Sequence, residues 1–138
     1  MSPLAIKQLN GLALAYLGDS SWELMVRTHL IEEGLTKPQH LHQAAIRYVS
    51  AAAQAELIVW LQNEQLLSED EIWAFKRGRN SSPHSSAKNA SMATYRLATG
   101  FEALMGYLYL ADEQGRFVTI ASMCIERVEQ TDDKKTGQ

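Results

Sequence analysis

The apolar residues of this 138-residue chain recur at helical spacing, and no segment alternates Val, Ile and Thr as a half-buried strand does. Leu57, Ile58 and Leu61 show the pattern clearly, because residues three and four apart share one face of a helix. The apolar content of 46% is sufficient for a core. The sequence therefore predicts one all-α domain over residues 1–129, followed by a polar, disordered tail over residues 130–138.

Start and stop signals divide the helical pattern into segments. A first region of one or two helices covers Leu4–Glu33, with any break near Asn10, and Gly34 ends it. Pro38 suits a first helical turn and Ser50 can cap a following helix, although the two segments could also form one bent helix.

The second half of the chain carries start and stop signals of the same local kind. Ser68 and Glu71 form a capping box, which predicts a short helix to about Arg77. The Gly, Asn, Ser and Pro residues of Gly78–Asn89 predict a polar loop. Two further helices, from about Ser91 to Leu110 and to about Glu129, complete the expected fold.

The hydropathy and cysteine content exclude several classes of protein. The longest apolar runs, Leu12–Leu17 and Leu57–Leu61, are far shorter than the roughly 20 residues that cross a bilayer. The amino terminus lacks the pattern of a signal peptide, and the single Cys124 cannot build a disulfide framework. We expect a cytoplasmic protein with no membrane partner.

The net charge of −3 conceals a strong segregation of charge. Ile72–Phe101 contains no acidic residue and five basic ones: Lys76, Arg77, Arg79, Lys88 and Arg96. A second acid-free stretch, Gly34–Ala55, contains Lys37 and Arg47. These two basic stretches are compatible with a polyanionic partner despite the negative net charge.

Asp19 and Glu23 lie four residues apart and project from one helical face. Two carboxylates at this spacing repel by about 0.2 to 0.5 kcal/mol unless a cation offsets the repulsion. The spacing fits either a solvated face, with a salt bridge from Glu23 or Asp19 to Arg27, or a pair that shares a metal ion.

Glu102 is the one acidic residue in the apolar stretch Thr99–Leu110. A carboxylate there is costly unless it is paired, hydrogen-bonded or metal-bound. Gly100 and Gly106 indicate close approach of another helix, which could bring Asp19 and Glu102 together as hard oxygen ligands for Mg²⁺. The alternative is an ion pair of Glu102 with Arg96 or Arg27.

The sequence KRGRN, Lys76–Asn80, runs into a Ser-rich stretch that also contains Lys88. Basic, amide and hydroxyl groups of this kind either bind phosphates or form an ordinary solvated loop. An acidic metal site next to such a segment is typical of metal-assisted phosphodiester cleavage. The combination predicts a nuclease.

Two of these segments carry a family resemblance. LAYLGDS, Leu14–Ser20, resembles the signature helix of the ribonuclease III catalytic domain, and TGFEALMGYLYL, Thr99–Leu110, resembles its second acidic helix. The similarity is greatest to the Mini-III branch and extends from about Gly11 to Gly115, including Leu41–Glu56 and Phe75–Asn80.

The resemblance implies the all-α ribonuclease III endonuclease fold in a homodimer, whose interface forms a valley for double-stranded RNA. It further implies Mg²⁺-dependent cleavage that leaves 5′ phosphates, in the maturation of large-subunit (23S) ribosomal RNA precursor. Mini-III proteins lack the separate double-stranded RNA-binding domain. The need for a ribosomal protein on the substrate stays open.

The resemblance also implies roles for individual residues. Asp19 and Glu102 take the places of the catalytic, metal-binding acids, while Ala15 and Thr99 stand where ordinary ribonuclease III has a glutamate and an aspartate. Glu23 is a hypothetical third metal contact. The expected RNA-binding residues are Lys76, Arg77, Arg79, Asn80, Ser82 and Lys88.

A protein that keeps this fold without its chemistry is the alternative. Ala15 and Thr99 favour such a silent RNA-binding or ribosome-assembly module. Asp19 and Glu102 argue against it, because a pure RNA binder gains little from an acidic pair facing a polyanion. A helical dimer with no RNA partner is a third, weaker option.

Overall fold

Seven helices make up the described part of the chain, residues 1–82 and 90–136 of a computed structural model. They are α1 (Pro3–Ile6), α2 (Gly11–Glu32), α3 (Pro38–Val49), α4 (Ala51–Asn63), α5 (Glu69–Ser81), α6 (Ala90–Ala111) and α7 (Arg116–Thr136). No strand occurs in these two ranges, which confirms the predicted all-α class. None of the helices described is long and apolar enough to cross a membrane.

Helices α2 and α6 form the centre of the fold, and both α5 and α4 pack against α6. The indole of Trp22 in α2 meets the ring of Phe101 in α6 edge to face, with centroids 5.2 Å apart, and both side chains are fully buried. The indole N–H of Trp22 also donates to the main-chain oxygen of Tyr48 at 3.1 Å, which ties α2 to α3. Helix α2 is therefore held by contacts with both α6 and α3.

The close approach of α2 and α6 depends on glycine. A β-carbon at Gly18 would collide with the main-chain carbonyl of Glu102 and come within 2.8 Å of the nitrogen of Gly106. One at Gly106 would collide with the carbonyl oxygen of Leu14. The backbones thus touch at the point where α2 carries Asp19 and α6 carries Glu102, as predicted from Gly106. Gly100 instead packs against Phe75 of α5.

Most helix ends lie where their local signals place them. The side chain of Asn10 caps α2, Gly34 follows this helix at φ +100°, and Ser50 separates α3 from α4 as two helices. The side chain of Ser68 accepts from the Glu71 nitrogen at 3.2 Å, and the Glu71 carboxylate accepts from the Ser68 nitrogen at 2.9 Å. The capping box is confirmed.

The predicted loop from Gly78 is wrong at its beginning, because α5 continues to Ser81. Gly78 is buried against α6, where a β-carbon would collide with that of Ala103 and lie 2.9 Å from the carbonyl oxygen of Thr99. Tertiary packing therefore outweighs the low helix propensity of glycine. Residues 83–89, which contain the rest of the predicted loop, lie outside the described residues.

At the other end, α7 extends to Thr136, beyond its predicted end near Glu129. The division into a domain over residues 1–129 and a tail over residues 130–138 stays a prediction. The apolar pattern of Leu4–Glu33 also predicts an inward position for Leu24, but this side chain is 63% exposed on α2.

Candidate active site

Asp19 and Glu102 meet where α2 crosses α6. The side chain of Asp19 is exposed, Glu102 is half-buried, and the two carboxyl groups share a hydrogen bond. Burial, followed by the charge of Asp19 and the shared hydrogen bond, raises the pKa of Glu102 from 4.5 to about 8. Two carboxylates that compete for one proton in this way attract a cation.

No basic side chain of the described residues forms an ion pair with either carboxylate of this pair. Arg27, a candidate partner of Glu102, instead pairs with Glu23 at 3.0 Å. The alternative of a neutralising pair between Glu102 and Arg27 is therefore not seen in the described structure. The negative charge of the pair is left for a ligand to offset.

Glu23 lies near the pair without joining it directly. Its charge contributes to the raised pKa of Glu102, but its own carboxylate is held by the guanidinium of Arg27. Asp19, Glu23 and Glu102 do not form a group whose ligand atoms all lie within 4.8 Å in the described structure.

Ala15 and Thr99, the two positions without an acid, contribute no ligand atom to this pair in the described structure. Ala15 is buried and has no polar side-chain atom. Thr99 is buried too, and its hydroxyl donates to the carbonyl oxygen of Tyr95 at 3.0 Å within α6. Any further side-chain contact that holds the acidic pair must therefore come from another helix.

That element is α4, whose Gln54 donates a side-chain hydrogen bond to the Glu102 carboxylate. Gln54 is 3% exposed, and its Nε2 also donates to the main-chain oxygen of Val49 at 3.2 Å. The sequence did carry a signal, because Gln54 precedes Leu57, Ile58 and Leu61 at the spacing of one apolar face. A polar residue in a core position of this kind needs a partner.

A second group of ionisable side chains lies away from this pair. His29, Glu33 and Glu129 have ligand atoms within 4.8 Å of one another. Although burial opposes it, hydrogen bonds from His29 and Tyr48 and the charge of Arg47 lower the pKa of Glu129. With His29 at 2.6 Å and the Tyr48 hydroxyl at 2.8 Å, this carboxylate joins α2, α3 and α7 as a structural contact.

The basic segment lies on the last turns of α5 and its side chains differ in their contacts. Lys76 is exposed and makes no ion pair in the described structure. The guanidinium of Arg77 stands over the ring of Trp73 and donates to the Leu9 carbonyl at 3.0 Å. Arg77 therefore also holds the α1–α2 connection.

The other expected RNA-binding residues that the structure describes, Arg79, Asn80 and Ser82, lie at or next to the end of α5. Arg79 stands over the ring of Phe75 and donates to the side-chain oxygen of Asn80 at 3.3 Å. Ser82 is 2% exposed, and its hydroxyl has no hydrogen-bond partner in the described part of the chain. Lys88 lies outside the described residues.

Known proteins resemble this chain over most of its length. A family model for the ribonuclease III domain matches residues 12–113. Mini-ribonuclease 3 of Streptococcus pneumoniae is 49% identical over 124 residues, which cover 90% of this chain and 97% of that protein. Mini-ribonuclease 3 of Brevibacillus brevis is 50% identical over 120 residues, which cover 87% of this chain and 88% of that protein.

The fold has a solved counterpart as well. A crystal structure of a protein from Fusobacterium nucleatum matches with a TM-score of 0.72 at 28% identity, covering 88% of this chain and 95% of the other. The chain therefore belongs to the ribonuclease III family and has its all-α nuclease fold. Within that family it falls in the Mini-ribonuclease 3 branch, and it is an endoribonuclease.

Proposed function

We propose that this endoribonuclease cleaves double-stranded RNA with Mg²⁺ and acts in the cytoplasm on the precursor of large-subunit (23S) ribosomal RNA. The observation that supports this most strongly is the contact of Asp19 with Glu102, which no described cation neutralises. An acidic pair facing a polyanion is unfavourable unless a metal ion lies between them.

The chemistry of the pair suits Mg²⁺. Carboxylate oxygens are its preferred protein ligands, and the ion usually keeps several waters and binds through one or two carboxylates. Asp19 is open to solvent, so water and a phosphate oxygen have room to complete the coordination shell. Bound there, Mg²⁺ would supply an activated water and stabilise charge on the leaving oxygen.

The residues around the metal ion would have separate roles in the reaction. Asp19 and Glu102 hold the ion at the crossing of two helices that glycine contacts keep in register. The leaving group is the 3′ oxygen, so each cut leaves a 5′ phosphate. Glu23 would add a further direct or water-mediated contact, and full retention of activity in Glu23→Gln would contradict that role.

Binding of the RNA would rest on the end of α5 together with Lys88. Lys76, Arg77 and Arg79 would contact backbone phosphates, and Asn80 would reach sugar hydroxyls. Ser82 is too buried for such a contact, because it is 2% exposed. The shape of the A-form helix, rather than its sequence, would dominate recognition by these groups. Affinity that rests mainly on contacts between charged side chains and phosphates falls as the salt concentration rises.

Lys76→Ala tests this surface. We expect weaker binding of duplex RNA and a salt slope of log Kd reduced by about one, because one phosphate contact is lost. Lys7→Ala makes the same change of charge, but at a side chain that is paired with Asp70 at 2.8 Å. Equal salt slopes in the Lys76 and Lys7 variants, measured by fluorescence anisotropy, would remove Lys76 from the RNA-binding surface.

The exposed face of α2 favours a second copy of the chain as a partner. Leu12 and Tyr16 are 47% and 85% exposed and lie one turn apart, on the same side as Asp19 and Glu23. A groove of about 380 Å³ between α2 and α3 continues from Glu23 and is lined mainly by apolar side chains, such as Leu41 and Ile46. A homodimer would cover this apolar surface.

Tyr16→Asp is expected to shift the protein from dimer to monomer, because a charge replaces a large apolar contact. In analytical ultracentrifugation the unaltered protein should sediment with twice the mass of its 15.4 kDa chain. Val118→Asp, at a 54% exposed position on α7, is the matched control and should stay dimeric. A dimeric Tyr16→Asp variant would place the interface elsewhere.

The proposed substrate can be tested directly. Purified protein is incubated with a structured 23S precursor and with a long duplex RNA at low salt, with and without ribosomal proteins, and the new ends are mapped. We expect internal cuts with 5′ phosphates in both RNAs. Tight binding without cutting would instead support the silent RNA-binding or ribosome-assembly module, which the absence of acids at Ala15 and Thr99 favours.

A further inference from the structure

Gln54 is a polar side chain on the buried face of α4. It is 3% exposed and belongs to the same helical face as the fully buried Leu57, Ile58 and Leu61. An amide in this position destabilises the fold unless its hydrogen bonds are satisfied. The contacts of Gln54 therefore indicate what this residue does.

The orientation of the Gln54 amide is fixed by its contact with Val49. A main-chain carbonyl can only accept a hydrogen bond, so the NH₂ end of the amide must face the Val49 oxygen, 3.2 Å away. The amide nitrogen carries two hydrogens. The second is available to the carboxylate of Glu102 on α6, and the hydrogen bond from Gln54 acts to lower the pKa of that carboxylate.

The backbone that carries Gln54 is well anchored. Ser50 lies between α3 and α4, and its hydroxyl accepts from the Ala53 nitrogen at 3.2 Å to cap α4. Val49 is the last residue of α3. Gln54 thus spans the α3–α4 junction and reaches the acidic pair from a rigid position.

Glu102 needs such a support. The glycine contacts of α2 and α6 fix its backbone but leave its side-chain torsions free, while the charge of Asp19 repels an ionised carboxylate. Gln54 is the neutral side chain of the described structure that donates to this carboxylate. Ala15 and Thr99, as described above, offer no such contact.

We propose that Gln54 is a positioning residue of this active site, whose buried amide holds the Glu102 carboxylate beside Asp19 in the orientation that binds the metal ion. This inference rests on the proposed metal-dependent function. Gln54 itself does not touch the metal ion or the RNA. Partners of this kind around a metal site typically contribute about 10- to 100-fold in metal affinity or activity.

Gln54→Met tests the proposal because it keeps the length of the side chain and removes both donors. Free Mn²⁺, used as the probe ion, is measured by electron paramagnetic resonance without RNA, and kcat and KM are measured with duplex RNA. We expect about 10- to 100-fold weaker Mn²⁺ binding and a similar fall in kcat, with an unchanged KM. A residue with a merely structural role would lower the melting temperature without changing the Mn²⁺ affinity of the folded protein.

Gln62→Met, on the same helix, is the matched control and should bind Mn²⁺ as the unaltered protein does. Gln54→Asn keeps the amide but shortens its reach by one methylene, so it replaces the methionine variant if that variant does not fold. Unaltered Mn²⁺ affinity in a folded Gln54 variant would overturn the proposal. Absence of Mn²⁺ binding and cleavage in the unaltered protein would instead refute the proposed function.

Discussion

Glu102→Gln is expected to abolish RNA cleavage and, in the same protein, to increase the stability of the metal-free fold. Cleavage should fall by at least about a thousandfold, because one of the two carboxylates proposed to hold the ion is lost. The free energy of unfolding should rise by about 1 to 2 kcal/mol at pH 7.5. The reason is that the variant replaces the Glu102 carboxyl group, which competes with Asp19 for one proton, by a neutral amide. For a chain of this size the rise corresponds to about 3 to 6 °C in melting temperature.

The pH dependence of stability follows from the same pair. Because burial and Asp19 raise the pKa of Glu102 above its ordinary value, the folded protein holds a proton that the unfolded chain has released. The stability of the metal-free protein should therefore decline as pH rises from about 4.5 towards 8. In Glu102→Gln this decline should be smaller, which thermal unfolding across that pH range measures.

Glu126→Gln provides the control for this prediction. Glu126 is exposed on α7, where it accepts a hydrogen bond from Gln130 at 3.4 Å. The variant makes the same chemical change away from the acidic pair and should keep cleavage activity and its pH profile. Equal melting curves of the Glu102 and Glu126 variants would contradict the claim that the Asp19–Glu102 pair destabilises the metal-free fold.

Gly18→Ala is expected to have the second large effect, a loss of about 3 kcal/mol or more in the free energy of unfolding. In an ordinary helix this substitution stabilises by about 1 kcal/mol, so the sign itself is informative. Here the new methyl group would overlap the main-chain carbonyl of Glu102, which cannot rotate away as a side chain could. Urea unfolding monitored by circular dichroism measures the change.

Activity should fall with stability in the Gly18 variant. To admit the methyl group, α6 must move away from α2, which separates Glu102 from Asp19. A displacement of about 1 Å at such a site can reduce the rate by about a hundredfold. Thr28→Ala, an exposed substitution on the same helix away from the acidic pair, should change neither quantity. A stable and active Gly18→Ala variant would refute the helix crossing described above.

The parts of the fold that the sequence predicts well are those governed by local rules. Asn10, Gly34, Ser50 and the Ser68–Glu71 capping box act through hydrogen bonds and torsion angles within a few residues. The end of α5 could not be predicted in this way. The helix continues through Gly78 because that residue packs against Thr99 and Ala103, which are distant in sequence.

The acidic pair was predictable in outline, because Gly106 and an isolated Glu102 both indicated a close helix partner. The contribution of Gln54 was not, since no local rule connects α4 to Glu102. It became apparent only when tertiary structure placed the amide against the carboxylate. The same holds for Arg77, whose contact with the Leu9 carbonyl joins residues far apart in the chain.

The central claim is that Asp19 and Glu102 make this chain a metal-dependent nuclease for double-stranded RNA. The most direct test is a titration of Mg²⁺ into purified protein with a long duplex RNA at low salt, alongside Asp19→Asn and a chelator control. We expect cleavage that rises with Mg²⁺ and disappears in both controls while the RNA stays bound. Cleavage that survives in Asp19→Asn, or binding of the RNA without any Mg²⁺-dependent cutting, would contradict the account.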